Sequence, residues 1–358
     1  MERLAVIGAG LMGGGIALDA ARHGLEVAVF DQRPDGFEKL KARAAGVYAR
    51  WVKNGRMAQA DADAALARLL PAADLATVGA ADVVVEAVFE DLAVKRALFA
   101  QLEGHLAPGA ILATNTSALK VGDLAEGFTF APRFLGLHYF SPAEVSPLVE
   151  VVRSAATAEA TVEKALAFLR HTRRTPLPCK DRPGFAINRF FCPYYNEAVR
   201  IVEDGVAGTA DVDQVAQERL GAAAGPFTVM NLVRPAVSAH AMENLAALGP
   251  FYATAGLLKT QAETGADWPL DGRVPGADLD RVEQRLLGAL ALPALELQAE
   301  GVAAPEAVDQ GATMALKFKE GPFALMRRYG AATVEAAVRG LCARDGHPLP
   351  ALAPMAAA

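Results

Sequence analysis

Through the first half of the chain, short apolar runs alternate with longer stretches in which apolar residues recur every three to four positions. Leu4 to Ile7 is one such run, followed by Gly8-Ala9-Gly10-Leu11-Met12-Gly13. Ile16 to Arg22 then has helical spacing, and Leu25 to Phe30 reads as a second strand ending at Asp31. Val83 to Val88 and Ile111 to Thr114 are apolar and bounded by polar residues, as expected of buried strands in a parallel sheet. Arg133 to Leu137 is strand-like and leads into His138, and a further apolar run closes on Glu150. The bend at Ser141-Pro142 would let these two runs lie side by side. Past Arg182-Pro183-Gly184 the strand pattern stops and helical spacing takes over.

The helical half repeats itself. Arg189 to Met230 aligns without gaps on Arg285 to Met326, so Gly205-Val206-Ala207 matches Gly301-Val302-Ala303. Val212-Asp213-Gln214 matches Val308-Asp309-Gln310, and Gly225-Pro226-Phe227 matches Gly321-Pro322-Phe323. Three triplets in one register point to a duplication. The expected division is residues 1–182, an α/β Rossmann-type domain; 183–280, a first helical unit; 281–346, a second; and 347–358, a tail read as a linker or frayed end.

Composition narrows the function. A chain of 358 residues suits two domains, and 53% hydrophobic with 21% charged residues is globular rather than disordered. A net charge of −6 argues against a general nucleic-acid or membrane-surface role. Three cysteines, Cys179, Cys192 and Cys342, have no metal-ligand spacing and fit a reducing compartment. The N-terminal apolar stretch carries too many glycines for a signal-peptide helix, and no run reaches the roughly 18 apolar residues of a membrane span. A soluble cytoplasmic protein is expected.

The glycine-rich segment has the strand before it, the helix after it and the acid beyond it that a G-x-G-x-x-G turn needs to bind a dinucleotide. Gly8 permits the tight turn, Gly10 lets the backbone approach a pyrophosphate, and Gly13 allows close packing of helix on strand. Leu11 and Met12 complete the loop. Asp31 would accept hydrogen bonds from the adenine ribose and repel a 2′-phosphate, partly offset by Arg33, so NAD is expected rather than NADP. Glu86, Glu90, Asn115 and Ser117 fall at or near strand ends, where the chemistry of such folds collects. Glu90 and Lys95 have a second reading, as residues that merely begin a helix at Leu92.

Lys39 to Arg56 holds six basic residues and no acid, with Leu40, Ala44, Val47, Tyr48 and Trp51 at helical spacing. Such a positive face is either solvated or built for a polyanion, and Arg43, Arg50 and Lys53 are candidates for the phosphates of a coenzyme A thioester. His138 and Glu150 form a candidate base and its orienting carboxylate, the pair a secondary-alcohol dehydrogenase requires.

At these residues the chain resembles the L-3-hydroxyacyl-CoA dehydrogenases, and is most similar to the dehydrogenase part of the multifunctional β-oxidation enzymes. The resemblance rests on GAGLMGGGIA, VVVEAVFEDLAVK, NTSAL, GLHYFSP, LVEVV and PGFAINR, and spans about Met1 to Gly346. It implies His138 as the base, Glu150 as its partner, Ser117 and Asn188 as ligands of the substrate oxygens, and Asn115 near the nicotinamide. It also implies NAD-dependent oxidation of (S)-3-hydroxyacyl-CoA to 3-oxoacyl-CoA in fatty-acid β-oxidation. Enoyl-CoA hydratase and thiolase are the partners such enzymes suggest. Three departures stand out: Ser141, in a position where single-function members often carry Asn; Thr228 to Arg234; and Thr264 to Pro269. Ser141 borders the expected substrate site. The second helical copy has Gln284 where the first has Asn188. It is expected to be structural and to stand in for the partner subunit of a dimer. Two other readings are a related dehydrogenase acting on a non-CoA hydroxy acid such as gulonate or carnitine, and a non-catalytic NAD-binding protein.

Overall fold

The computed structural model describes residues 3–352. The chain separates into two compact units, Met1–Asp181 and Arg182–Ala358. The tail residues 353–358 lie outside the described part.

The first unit opens with β1 (Arg3–Ile7), α1 (Leu11–Arg22), β2 (Glu26–Phe30), α2 (Gly36–Lys53), α3 (Gln59–Ala67) and β3 (Leu69–Pro71). Next come α4 (Leu75–Gly79), β4 (Val83–Glu86), α5 (Leu92–Leu102), β5 (Ile111–Thr114) and α6 (Val121–Ala125). It ends with β6 (Phe134–Tyr139), β7 (Leu148–Arg153), α7 (Glu159–His171) and β8 (Thr175–Lys180). The eight strands form one sheet in the order β3-β2-β1-β4-β5-β6-β7-β8. Pairing is parallel from β3 through β6, β7 runs antiparallel to β6, and β8 runs parallel to β7. Sequence order reverses between β1 and β4, which leaves a crevice at the carboxyl ends of those strands. The apolar runs are strands because both faces are covered: β4 and β5 are buried at every residue.

Three boundaries differ from the expected ones, each for a local reason. The helix after the glycine turn starts at Leu11 rather than Ile16, because its glycines are packed and not frayed. A Cβ on Gly13 would lie 1.9 Å from the Gly8 carbonyl oxygen, so only glycine lets α1 start this close to β1. Strand β4 stops at Glu86 instead of Val88, since the Val88 N–H turns to donate to the Glu86 carboxylate at 2.6 Å. Glu150 lies inside β7 and does not end it, because the strand continues through Val151, Val152 and Arg153.

The second unit is helical: α8 (Asn188–Glu203), α9 (Thr209–Glu218), α10 (Pro226–Val233), α11 (Pro235–Glu243) and α12 (Gly256–Thr264). Then follow α13 (Leu279–Ala299), α14 (Pro305–Ala315), α15 (Pro322–Tyr329) and α16 (Ala331–Asp345). The duplication is physical as well as textual. Asp213 accepts hydrogen bonds from the Phe227 and Thr228 N–H groups at 2.8 and 3.0 Å, capping α10 from outside. Asp309 does the same for α15, accepting from Phe323 and Ala324 at 2.8 and 2.9 Å. Each repeat of Gly-Pro-Phe serves this device. A Cβ on Gly225 would sit 2.0 Å from Asp213 Cγ, and one on Gly321 2.2 Å from Asp309 Cα. The proline takes the first helical position, where no N–H is needed, and the phenylalanine enters the core.

The two copies also grip each other reciprocally. Arg189 of the first copy donates to Glu300 of the second at 2.5 Å. Its equivalent Arg285 donates to Asp204, the equivalent of Glu300, at 2.6 Å. Residue i meets j while j′ meets i′, the signature of an isologous interface, here within one chain.

The two segments that depart from the expected family pattern find each other. Asn231 donates to the Trp268 carbonyl at 3.0 Å and accepts from its N–H at 2.7 Å, and the Trp268 ring packs edge-on against Phe227 with centroids 5.1 Å apart. The tail read as frayed from His347 onward is packed at its start: His347 is 6% exposed and its Nε2 lies 2.7 Å from a Glu296 carboxylate oxygen. Among the described residues no helix is long and apolar enough to cross a membrane.

If the two aspartates are equivalent caps, Asp213→Ala and Asp309→Ala should each lower unfolding stability by about 1–2 kcal/mol. Urea denaturation of the two variants checks this, and a silent Asp309 variant would show that the second copy lacks the device.

Candidate active site

A cavity of about 730 Å³ opens at the carboxyl ends of β1, β2 and β4. Gly8, Gly10, Leu11 and Met12 line it on one side, Asp31 and Arg33 at one end, and Ala87 to Phe89 with α5 residues Val94, Ala97 and Leu98 opposite. Gly8 has φ +103°, and a Cβ there would lie 2.5 Å from the Ala87 carbonyl oxygen, so the turn requires glycine. A Cβ on Gly10 would meet nothing within 4 Å, which leaves the backbone approachable at the N-terminus of α1. Gly13 does not line the cavity; it holds α1 against β1.

Asp31 follows the end of β2, and its carboxylate fixes the turn. Oδ2 accepts from the Ala9 N–H at 2.7 Å, and Oδ1 from the Arg33 N–H and Nε at 2.9 and 3.0 Å. Burial alone would raise its pKa, but the hydrogen bonds from Arg33 and Ala9 outweigh burial and hold it below the usual carboxylate range. Arg33, expected to offset the acid toward a phosphate, is drawn onto the acid itself.

The base and its partner meet across the antiparallel β6–β7 pair. His138 and Glu150 are directly paired in register, and His138 Nδ1 lies 2.6 Å from Glu150 Oε2. His138 is 6% exposed and Glu150 is fully buried. A buried carboxylate at that distance requires the Nδ1 proton as its partner, which puts the imidazole lone pair on Nε2. The Phe140 ring packs against the imidazole with centroids 4.7 Å apart. Ser141, next along, is exposed and joined to Pro142 by a cis peptide bond.

A second buried network holds the segment after β5. Glu86, at the end of β4, accepts from Lys95 Nζ at 2.7 Å and from Thr114 Oγ1 at 2.7 Å. Lys95, 1% exposed, also reaches Glu90 at 3.2 Å. Glu90 in turn accepts from Thr116 Oγ1 at 2.6 Å and from the Ser117 N–H at 2.8 Å, with Ser117 Oγ 3.5 Å away. Burial works to raise the Glu90 pKa, yet Lys95 and these donors together hold it low. Asn115 leaves β5 and accepts from the Tyr139 N–H at 3.0 Å, tying this loop to the residue after His138. Of the two readings of Glu90 and Lys95, neither is complete. The helix does begin at Leu92, but Asp91 caps it, while Glu90 and Lys95 clamp the Ser117 loop and do not line the cavity.

The basic helix forms as expected, with Leu40, Ala44, Val47 and Tyr48 buried. Arg50 and Lys53 are exposed. Arg43 is not available in the same way: it donates to Glu144 at 2.6 Å and to the Leu11 carbonyl at 2.8 Å. Glu144 is 6% exposed, and a carboxylate so buried must find a cation. Asn188 begins α8 in the second unit and is half-buried. Two working residues were missed from sequence, Thr114 and Glu144, and Glu86 had a place but no role. The signal was there in Glu86, an acid closing the run VVVE, which burial obliges to be paired.

Comparison with known proteins agrees with this architecture. Residues 3–182 match the NAD binding domain of 3-hydroxyacyl-CoA dehydrogenase, and the C-terminal domain of that family matches twice, at residues 184–266 and 282–357. The 3-hydroxyadipyl-CoA dehydrogenase of Escherichia coli (strain K12) is 38% identical over 236 residues, 65% of this chain and 49% of that protein's length. The mitochondrial hydroxyacyl-coenzyme A dehydrogenase of Sus scrofa is 36% identical over 65% of this chain and 76% of its own. The crystal structure of (S)-3-hydroxybutyryl-CoA dehydrogenase from Ralstonia eutropha superposes with a TM-score of 0.72 at 30% identity, covering 74% of this chain and 94% of that one. An Escherichia coli 3-hydroxybutyryl-CoA dehydrogenase structure shares the fold over 99% of this chain, with a TM-score of 0.89 at 23% identity. With both of its domain models matched and the C-terminal one matched twice, the chain belongs to the 3-hydroxyacyl-CoA dehydrogenase family, whose members are NAD-binding oxidoreductases.

Proposed function

We propose that this chain oxidises (S)-3-hydroxyacyl-CoA to 3-oxoacyl-CoA with NAD, reversibly, as a step of fatty-acid β-oxidation. The observation that carries the reading is the His138–Glu150 pair: an imidazole whose Nδ1 is committed to a buried carboxylate 2.6 Å away, leaving Nε2 to do the chemistry. That arrangement suits removal of a proton from a secondary alcohol.

The cavity fits the cofactor by its own chemistry. Gly8, Gly10 and the first turn of α1 would face the pyrophosphate, and Asp31 would take the ribose hydroxyls. Val94, Ala97 and Leu98 offer an apolar wall for a flat ring. NAD, when bound, supplies the acceptor for the hydride of carbon 3. His138 takes the 3-hydroxyl proton at Nε2, and Glu150 stabilises the imidazolium that results. In the reverse direction the imidazolium returns the proton to the forming alcohol. Ser117, held in place through Glu90, is the proposed ligand of a substrate oxygen. Arg50 and Lys53 are the proposed phosphate contacts, and Arg43 is better read as a strap between the glycine turn and the loop bearing Glu144. The intact proton-handling pair favours an enzyme over a non-catalytic NAD-binding protein, and the exposed cations of α2 favour a CoA ester over gulonate or carnitine. The reciprocal arginine pairs between the two helical copies support the reading that the second copy takes the place of a partner subunit. Sedimentation should then show no tight dimer built on residues 189–230.

His138→Gln should cut turnover by about a hundredfold to ten-thousandfold while NAD still binds; near-normal turnover sinks the assignment. Asp31→Ala should weaken NAD binding, and unchanged affinity by fluorescence titration would remove its role. Because Asp31 titrates below the usual carboxylate range, NAD affinity should hold through mildly acidic pH and fall only as pH drops through that lowered value. Arg50→Ala with Lys53→Ala should raise KM for a CoA ester far more than for a truncated thioester.

A further inference from the structure

The second helical copy has a cavity of its own, about 220 Å³, between α13 and α16. Arg281, Gln284 and Arg285 reach it from α13 at i, i+3 and i+4, so they share one face of that helix. Ala337, Gly340 and Leu341 reach it from α16 in the same spacing, with Arg344 one turn further along. By the repeat, Gln284 occupies the place of Asn188 and Arg285 that of Arg189. We infer that this groove binds a compact oxyanion, a phosphate or carboxylate group, at a site separate from the cofactor cavity.

Charge supports an anion. Arg285, 7% exposed, donates through Nε to Glu197 and through Nη1 to Asp204, both at 2.6 Å, and its Nη2 has no hydrogen-bond partner among the described residues. Arg344 spans Glu197, at 2.5 and 2.8 Å, and Asp345. Arg200 adds a third guanidinium to the same acids, at 3.2 Å from Asp345. Glu197, Asp204 and Asp345 are thus shared among three arginines. Arg281 remains as the cation with no ion pair among the described residues, one turn from Arg285 and in the first turn of α13. The positive end of that helix adds to the same field.

Shape sets the size of the guest. At 220 Å³ the groove is far smaller than the 730 Å³ cofactor cavity, so a lone oxyanion with a short stem fits and a nucleotide does not. Gly340 keeps it open: a Cβ there would meet nothing within 4 Å, so a larger side chain would project into empty space without breaking the helix. Leu341 supplies an apolar contact beside the cations.

The site is tested by calorimetric titration of the whole chain, saturated with NAD so that the glycine turn is filled, with inorganic phosphate and with butyrate at constant ionic strength. The parent protein should bind at least one of them saturably at one site, and the preferred anion tells a phosphate ester from a short acid as the source. Arg281→Ala, an exposed position, should weaken that binding by about tenfold. Gly340→Leu, which keeps every charge and raises helix propensity, should abolish it. No saturable binding of either anion, unchanged affinity in Arg281→Ala, or binding that survives in Gly340→Leu overturns the site. Failure of NAD to bind would count against the proposed function and leave this comparison readable.

Discussion

The structure of the first unit is arranged around one constraint: a carboxylate, Glu150, buried completely in the middle of a strand. An isolated ionised carboxylate in that position would cost several kcal/mol, so it has to have a hydrogen-bonding partner close at hand. The antiparallel turn of β7 against β6 supplies one by placing His138 directly opposite. A slip of β7 by one residue along β6 would send Glu150 to the other face of the sheet and leave the acid without its imidazole. Register here is therefore both a folding requirement and the source of the tautomer that gives Nε2 its lone pair.

The same logic recurs around it. Glu86 and Glu90 hold Lys95 between them, and the donors they collect fix the loop that carries Asn115 and Ser117. Glu144 draws in Arg43, which at the same time holds the Leu11 carbonyl. Buried acids thus act as fasteners between the cofactor turn, the loop after β5 and the hairpin of the base. Each is paired, over 9 residues of sequence for Glu86 with Lys95 and 101 for Glu144 with Arg43.

Much of this was legible in the sequence, and the limits have physical causes. The glycine turn, the strand runs and the His138–Glu150 relation could be read because period and spacing report backbone geometry directly. The start of α1 was misjudged because glycines usually weaken a helix, whereas tight packing against β1 demands them here. The pairing of Arg43 with Glu144 was hidden because a charge on a helix face does not reveal an acid a hundred residues away. The packed His347 was hidden for the same reason, since Glu296 lies on a different helix. In the second unit the repeat was plain in the text, but its reason was not: Gly-Pro-Phe is kept in both copies because an aspartate from the preceding helix caps the helix that motif begins.

The most direct test is a crystal structure of this chain with NAD and acetoacetyl-CoA bound. With His138 as the base, the 3-oxo oxygen should lie within hydrogen-bond reach of its Nε2 while Nδ1 keeps Glu150, and the pyrophosphate should sit at Gly8 and Gly10. A 3-oxo oxygen held by other groups, with His138 Nε2 turned away from it, would contradict that role.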